Sequence, residues 1–304
     1  MSTIENTFSW SKSRDEVFRE CLRKYYFHYY GYWSGWDASA SARARQIYLL
    51  KQLKSRHMWA GGRVHTCVKD ILQAVRSRRR LPTADEAAKN MLARMRQDYR
   101  ESRDRKYRED PKGFCGLFEH EYEITLPDEA WKETAANAEA CVRNFYQSDA
   151  FSMVQSLPPA GWLDLEKLSS FRLDGVTVWV QLDLAFRDGE QILIYDWKTG
   201  SSESGENELQ LACYIFYAVE TWKTAPEQVT AVALYLADNQ ATPRQMTQAD
   251  LESMREYIRD SIDEMRFPLL DPEKNIAEED AFDFAEDEEP CRRCNYRKVC
   301  PRWA

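Results

Sequence analysis

The sequence has no run of about 18 apolar residues, which is the length that a membrane-spanning helix requires. Residues 1–7 also lack a charged segment followed by an apolar run, the pattern of a secretory leader. No internal repeat is evident along the 304 residues. We therefore expect a cytoplasmic protein outside the membrane, whose eight cysteines are thiols or metal ligands rather than disulfides.

The chain also lacks the positive charge excess by which many nucleic-acid-binding proteins are recognised, since its formal net charge is −8. Residues 271–289, here called the acidic tract, hold ten acidic side chains and one lysine, a local charge of −9 that leaves the remainder at +1. Arginines in 76–80 and 94–108 could hold phosphates, although such charge runs are more often solvated helix faces. The tract is expected either to face these arginines and weaken DNA binding or to be a solvated linker.

The first half of the chain has the patterns of helices. We predict them from a capping box at Ser13 to about Tyr30, from Gly61-Gly62 with His65 in the first turns, from a capping box at Thr83 to about Arg105, and from Pro127 through Val142. The aromatic run at 25–33 could stack on the bases of a single strand, but core packing is the more frequent use of such rings.

From about Trp162 the pattern changes to strands. We predict strands at 163–172, 176–186, 191–197 and 229–236, a helix at about 206–221 before the last strand, and a helix from Thr247 to about Met265. This order predicts an α/β or α+β fold with a mixed sheet flanked by helices. We expect one domain, 1–304, made of a mainly helical region (1–160), a sheet core (161–265), and a C-terminal part (266–304) with the acidic tract and a cysteine cluster.

Residues 175–200 predict a hairpin that carries chemistry, with Asp188-Gly189 as its turn. Asp183 and Asp196 lie on its two strands, where a hairpin register brings their carboxylates together. Lys198 shares a face with Asp196, and the Trp197 carbonyl is free to turn toward the same place. Two carboxylates, a carbonyl and an ammonium suit a hard cation that activates water for phosphodiester cleavage. The alternative is a solvated ion pair at a strand end.

The C-terminal sequence contains a second candidate metal site. Cys291, Cys294 and Cys300 follow a Cys-x2-Cys-x5-Cys-Pro pattern and lack a fourth ligand, for which Cys21 is the candidate. The spacing alone is compatible with zinc or with an iron–sulfur cluster.

Taken together, these motifs resemble one known family. Cys21, the Gly62-x-x-His65 segment, Asp183, Asp196-Trp-Lys198, Gln210 with Tyr214, and the terminal cysteine triplet occur in the order found in RecB-like nucleases of the PD-(D/E)XK superfamily. The resemblance is to their iron–sulfur branch, which includes the CRISPR-associated RecB-like exonucleases and the AddB nuclease domain. Two positions differ from the usual pattern, since Leu22 rather than proline follows Cys21 and Val-Gln-Leu precedes Asp183.

The resemblance implies a restriction-endonuclease-like core and a role for each motif residue. It implies that Mg²⁺ or Mn²⁺ is bound by His65, Asp183, Asp196 and the Trp197 carbonyl. Lys198 would orient or deprotonate the attacking water, while Gln210 and Tyr214 position the lysine and the scissile phosphate. A 4Fe-4S cluster would be held by Cys21, Cys291, Cys294 and Cys300, closing the two ends of the chain. For His65 the alternative is a hydrogen-bonded core histidine.

The expected function is therefore a metal-dependent DNA nuclease, an exonuclease directed to single strands or ends. DNA repair and CRISPR-associated processing are the settings that the resemblance implies, with protein partners that the sequence does not identify. Two alternatives stay open: a non-catalytic nucleic-acid-binding module with a structural zinc site, and a nuclease acting on RNA.

Overall fold

The structure is a computed structural model that describes residues 5–202 and 207–303. These residues form a mixed sheet flanked by helices, which confirms the predicted α/β class. Within the described ranges, no helix combines the length and the apolar character needed to cross a membrane.

The elements occur in the chain as follows. The helices are α1 (Lys12–Glu20), α2 (Leu22–Tyr26), α3 (Ala42–Gln52), α4 (Arg56–Arg76), α5 (Ala84–Arg103), α6 (Phe118–Glu121), α7 (Asp128–Gln147), α8 (Asp149–Gln155), α9 (Glu208–Trp222), α10 (Gln248–Arg266) and α11 (Glu289–Arg292). The strands are β1 (Ser9–Trp10), β2 (Trp162–Leu173), β3 (Val176–Asp188), β4 (Gln191–Lys198), β5 (Val229–Tyr235) and β6 (Gln240–Arg244). A π-helical segment, Phe27–Gly31, directly follows α2.

The sheet has the strand order β1-β3-β4-β5-β6, and β2 pairs with β3 outside this path. The β2–β3, β3–β4 and β5–β6 pairs are antiparallel, whereas β1–β3 and β4–β5 are parallel. One hydrophobic core lies between the sheet and α9 with α10, and a second lies between the sheet and α4, α5, α7 and α8. The sheet is thus covered by helices on both faces, and residues near the end of β4 lie where these layers meet.

All four predicted strands are present. Asp188 pairs with Gln191, and Gly189 at the turn has φ of +60°, which glycine adopts without steric cost. The sequence did not predict β1 or β6. The two residues of β1 are too few for an alternating pattern, and β6 contains Pro243 and is largely exposed.

Several predicted helix boundaries were wrong. Ser11 rather than Ser13 caps α1, because its side chain accepts the backbone N–H of Arg14 at 3.1 Å. The helix predicted to reach Tyr30 is interrupted at Cys21, whose extended backbone ends α1 and begins α2. Helix α4 begins after Ser55 rather than at the glycine pair, because a serine side chain caps a helix better than glycine does.

The capping boxes predicted at Thr83 and Thr247 are confirmed. Helix α7 begins after Pro127 as predicted. The predicted start of the next helix at 206 lies outside the described residues, and α9 is described from Glu208. Helices α3, α6, α8 and α11 were not predicted.

The acidic tract is anchored to the protein at a few residues, while eight of its ten acidic side chains are exposed to solvent. Phe282 is fully buried and packs against the rings of Tyr25 and Tyr26. These two tyrosines of the aromatic run therefore contribute to core packing. Glu279 forms ion pairs with Arg23 at 2.9 Å and Arg43 at 2.8 Å. Among the described residues no ion pair joins the tract to the arginines of 76–108, which does not support the alternative in which the tract faces those helices.

Candidate functional site

A cleft of about 830 Å³ lies between α4, the middle of β3 and the C-terminal end of β4. Helix α4 contributes one wall, and the hairpin and α9 contribute the others. The lining residues include His65, Lys69, Glu166, Gln181, Asp183, Asp196, Trp197, Lys198, Gln210 and Tyr214. All residues that we predicted from the sequence to bind the cation or to activate water therefore lie in one cleft.

The side chains of His65, Glu166 and Asp183 form a compact cluster in this cleft. His65 Nδ1 lies 3.2 Å from Asp183 Oδ1 and 3.5 Å from Glu166 Oε1. Among the described residues these three are the only group of His, Cys, Asp or Glu whose ligand atoms all lie within 4.8 Å of one another. Burial alone would lower the pKa of His65, but the two carboxylates outweigh it and raise this pKa to about 10. The site therefore has a strong preference for positive charge.

Sequence reasoning missed Glu166. It lies on β2 between Leu165 and Lys167, which pair with Leu184 and Leu182, so the register places it opposite Asp183. Its φ of +50° is unusual for a residue with a side chain, and its carboxylate accepts a hydrogen bond from Gln181 Nε2 at 2.9 Å. The strand pairing of β2 with β3 was the signal that could have identified it.

Asp183 is held by the hairpin itself. Its Oδ2 accepts the backbone N–H of Trp197 at 2.7 Å, which fixes the carboxylate against β4. Burial raises the pKa of Asp183 to about 6, although the neighbouring His65 acts in the opposite direction. The buried indole of Trp197 packs against Phe145, with ring centroids 5.3 Å apart, and so anchors the strand end.

Asp196, Lys198, Gln210 and Tyr214 form a hydrogen-bonded chain across β4 and α9. Lys198 Nζ donates to Gln210 Oε1 at 2.7 Å, and Gln210 Nε2 donates to Asp196 Oδ1 at 3.0 Å. Tyr214 OH also donates to Asp196 Oδ1 at 3.0 Å. Burial and the nearby carboxylates raise the pKa of Tyr214 well above its usual value, so its hydroxyl remains a donor. Gln210 and Tyr214 lie on one face of α9, as predicted, and their side chains hold Asp196 and Lys198 in place by hydrogen bonds.

Two carboxylate oxygens at this site are buried without a hydrogen-bond donor among the described residues. They are Glu166 Oε1 and Asp196 Oδ2. Asp196 Oδ2 has Lys198 Nζ 2.7 Å away, but the geometry of this contact is that of an ion pair and not of an aligned hydrogen bond. Buried polar atoms are normally satisfied, so these oxygens are available to a cation.

The four candidate cysteines come together at a second place. Cys21, Cys291, Cys294 and Cys300 line one small cavity of about 20 Å³ beside Phe27. Cys21 Sγ accepts the N–H of Lys24 at 3.4 Å, and Cys294 Sγ accepts that of Tyr296 at 3.4 Å. The other four cysteines lie elsewhere, with Cys141 and Cys213 buried in the two cores.

The sulfur spacing at this cavity differs from that of a closed zinc site. A tetrahedral Cys₄ zinc site with bonds of about 2.3 Å places its sulfurs about 3.8 Å apart. Within the described residues, no three of these cysteines have all their sulfurs within 4.8 Å of one another. The sulfurs as described are therefore not arranged as a closed tetrahedral zinc site.

Comparison with known protein families gives a match over most of the chain. The family described as "PD-(D/E)XK nuclease superfamily" matches residues 9–301. No curated protein matches the sequence. A solved structure described as "Crystal structure of SSO0001" is 14% identical, with an alignment covering 58% of this chain and 79% of that chain and a TM-score of 0.30.

Proposed function

The chain belongs to the PD-(D/E)XK nuclease superfamily, and from this we propose that it is a metal-dependent deoxyribonuclease that acts on single strands or on ends. The observation that carries the proposal is the pair of buried carboxylate oxygens, Glu166 Oε1 and Asp196 Oδ2, which accept no hydrogen bond among the described residues and lie beside His65 and Lys198 in the same cleft. Carboxylate oxygens that can bind a divalent cation, with an ammonium group beside them, supply the groups used in metal-dependent hydrolysis of a phosphodiester bond.

His65, Glu166, Asp183 and Asp196 are the proposed cation ligands, with the Trp197 carbonyl as a further oxygen at the strand end. Oxygen ligands suit Mg²⁺, while the imidazole of His65 favours Mn²⁺. When bound, the ion would lower the pKa of a water molecule and neutralise charge on the phosphate. The position of Asp183 does not depend on the ion, because the Trp197 N–H holds its Oδ2.

Lys198 is the proposed group that orients the attacking water. Its ammonium donates a hydrogen bond to Gln210 Oε1 at 2.7 Å and forms an ion pair with Asp196 Oδ2, also at 2.7 Å. Because an ammonium has three protons, at least one remains for water or a phosphate oxygen in the cleft. Tyr214 and Gln210 both donate to Asp196 Oδ1, so Oδ2, which forms only the ion pair with Lys198, is the oxygen proposed to bind the cation.

The cysteine cavity is proposed to hold a 4Fe-4S cluster with a structural role. Cys21 lies between α1 and α2, and the other three cysteines lie in the segment 291–300. A bound cluster would therefore connect the start of the chain to this C-terminal segment. Fixing such a long loop removes much conformational freedom from the unfolded chain, so the group would stabilise the fold.

The test uses anaerobically purified protein incubated with end-labelled single-stranded DNA, blunt duplex DNA and RNA of the same sequence, with and without Mn²⁺. We expect Mn²⁺-dependent cleavage of DNA that is lost in Asp183→Asn and Asp196→Asn. Asp188→Asn, an acidic residue of the same hairpin at its exposed turn, is the matched control and should cleave normally. Cleavage retained in both active-site variants would contradict the proposal, and preference for RNA would change its substrate.

A further inference from the structure

We propose that the outer half of the β2–β3 hairpin is a landing surface for a single-stranded segment of the nucleic acid, with Trp179 stacking on one of its bases. This inference rests on the proposed function and extends it from the site of cleavage to the path of the substrate. The evidence is a continuous exposed strand face that leads out of the cleft.

The face is defined by the register of the two strands. Side chains two residues apart share one face of a strand, so Asp183, Gln181 and Trp179 of β3 form one row. Gln181 pairs with Leu168 and Trp179 pairs with Ser170, so β2 adds a second row beside the first. Asp183 and Gln181 line the cleft, which means that the row runs directly from the proposed cation ligands to Trp179.

The two faces of this hairpin differ in how they are covered. The opposite face carries Val178, Val180 and Leu182, which are buried in the core that includes α9. On the cleft face, α4 covers the inner part, where His65 meets Glu166. Farther out, Leu168 is 58% exposed and Trp179 is 40% exposed. Two large apolar side chains are therefore presented to solvent on the same face as the active-site acids.

The charge of the face suits a nucleic-acid strand. Beyond Asp183 and Glu166, the three outward pairs of the two rows contain no carboxylate, although the whole chain has a net charge of −8. These pairs are Gln181 with Leu168, Trp179 with Ser170, and Thr177 with Arg172. Lys69 lines the cleft at the inner end, so cations lie at both ends of an otherwise neutral surface.

The length of the face fits a few nucleotides. Asp183 and Trp179 are four residues apart on one strand, a distance of about 13 Å. A stacked strand advances about 3.4 Å per nucleotide, so roughly four nucleotides would separate the cleavage site from the base on Trp179. Aromatic side chains stack on any base, and unpaired bases are the ones that can reach such a platform. In a blunt duplex the bases are paired and stacked inside the double helix, so none of them can stack on Trp179.

The test measures binding separately from cleavage. Fluorescently labelled oligothymidine and a blunt duplex are titrated without divalent cation into wild-type protein, Trp179→Ala, Trp179→Phe and Trp36→Ala. Trp36 is 43% exposed but lies in the segment between α2 and α3, which makes it the matched control. We expect Trp179→Ala to bind oligothymidine roughly ten- to a hundredfold more weakly. Trp179→Phe and Trp36→Ala should remain within about threefold of wild type.

Cleavage supplies the second readout. With Mn²⁺, Trp179→Ala should raise KM for long single strands while kcat and the hydrolysis of a dinucleotide stay unchanged, because a dinucleotide is too short to reach Trp179. Equal oligothymidine binding by Trp179→Ala and wild type would overturn the inference, as would an equal loss of duplex binding. If wild-type protein binds oligothymidine through Trp179 but cleaves nothing, the landing surface stands and the proposed hydrolysis fails.

Discussion

The backbone N–H of Trp197 donates to Asp183 Oδ2 at 2.7 Å and so connects the two strands of the hairpin through an active-site carboxylate. The carboxylate is therefore positioned by main chain, which cannot rotate away as a side chain can. Its other oxygen, Oδ1, faces His65 on α4. The cleft is thus assembled by contacts between the helical part of the chain and the sheet.

The first prediction concerns Lys198 and Gln210. Lys198→Ala should lower kcat by roughly 10²–10⁴, the usual contribution of a group that handles the proton of a nucleophile. Gln210→Ala should lower kcat by roughly 10–100-fold with KM little changed, because it orients Lys198 and Asp196 without being a ligand itself. Gln245, which is exposed and bonds Thr230 at 3.0 Å, provides the control Gln245→Ala. Steady-state kinetics with DNA checks this, and an unchanged kcat in Gln210→Ala would refute its positioning role.

The second prediction concerns the cysteines. Cys21→Ser should remove the brown colour expected of an iron–sulfur protein as completely as Cys294→Ser does, because both line the same cavity. Each should also lower the melting temperature, since the bound group closes a long loop. Cys213→Ala, in α9, should keep the colour. Absorption spectra and metal analysis decide, and a colourless wild type with one zinc per chain would contradict the cluster.

The third prediction concerns the docking of the acidic tract. Phe282→Ala should lower the free energy of unfolding by about 3–5 kcal/mol, because the ring is 0% exposed and lies among the tyrosines of α2 and the π-helical segment. Phe284→Ala should cost less than about 1 kcal/mol, since Phe284 is 40% exposed. Chemical denaturation measures both variants. Equal losses would mean that the tract is not anchored through Phe282.

The fourth prediction concerns the pH dependence of stability through His28. Burial, with Lys51 and Lys24 nearby, lowers the pKa of His28 to about 3 in the folded protein. In the unfolded chain the pKa is about 6.5, so between these values the unfolded state binds the extra proton. Stability should therefore fall as the pH drops below about 6.5, by at most ~1.4 kcal/mol per pH unit from this residue.

Denaturation of wild type and His28→Gln between pH 7.5 and 4.5 tests this pH dependence. The variant should show a shallower loss of stability below pH 6.5. At pH 7.5 His28 is neutral in both states, so any difference there reports lost packing and the lost contact with Tyr296 OH at 2.9 Å. Parallel curves for the two proteins would show that His28 does not titrate on unfolding.

Local patterns predicted the parts of the fold that depend on local physics. The alternation of 176–186 and the turn at Gly189 predicted the hairpin, and the capping boxes at Thr83 and Thr247 predicted two helix starts. The break at Cys21 could not be predicted from helix propensity, because packing against the C-terminal segment competes with helix continuation there. The ion pairs of the tract with Arg23 and Arg43 depend on long-range docking, which no local pattern indicates.

In the candidate site, too, the residues within one local motif could be predicted, and those brought in by long-range contacts were harder to identify. Asp183, Asp196 and Lys198 could be identified because they lie within one hairpin, whose register follows from its turn. Glu166 was missed, because its place opposite Asp183 follows only when the pairing of β2 with β3 is considered, and its left-handed backbone is not encoded by its residue type. His65 was found only through the family resemblance, since the contact with Asp183 spans 118 residues.

The contacts between the two ends of the chain also constrain the order in which the protein can fold on the ribosome. Trp10 bonds Ser261, Arg23 bonds the carbonyl of Phe282, and His28 lies beside Tyr296, so each partner is 251–268 residues away along the chain. At about 5–20 residues per second, the N-terminal helices wait roughly 13–50 s for these partners to be synthesised. During that interval the aromatic side chains of α2 and the thiol of Cys21 lack their final neighbours. The proposed iron–sulfur cluster could therefore be completed only after Cys300 emerges from the ribosome.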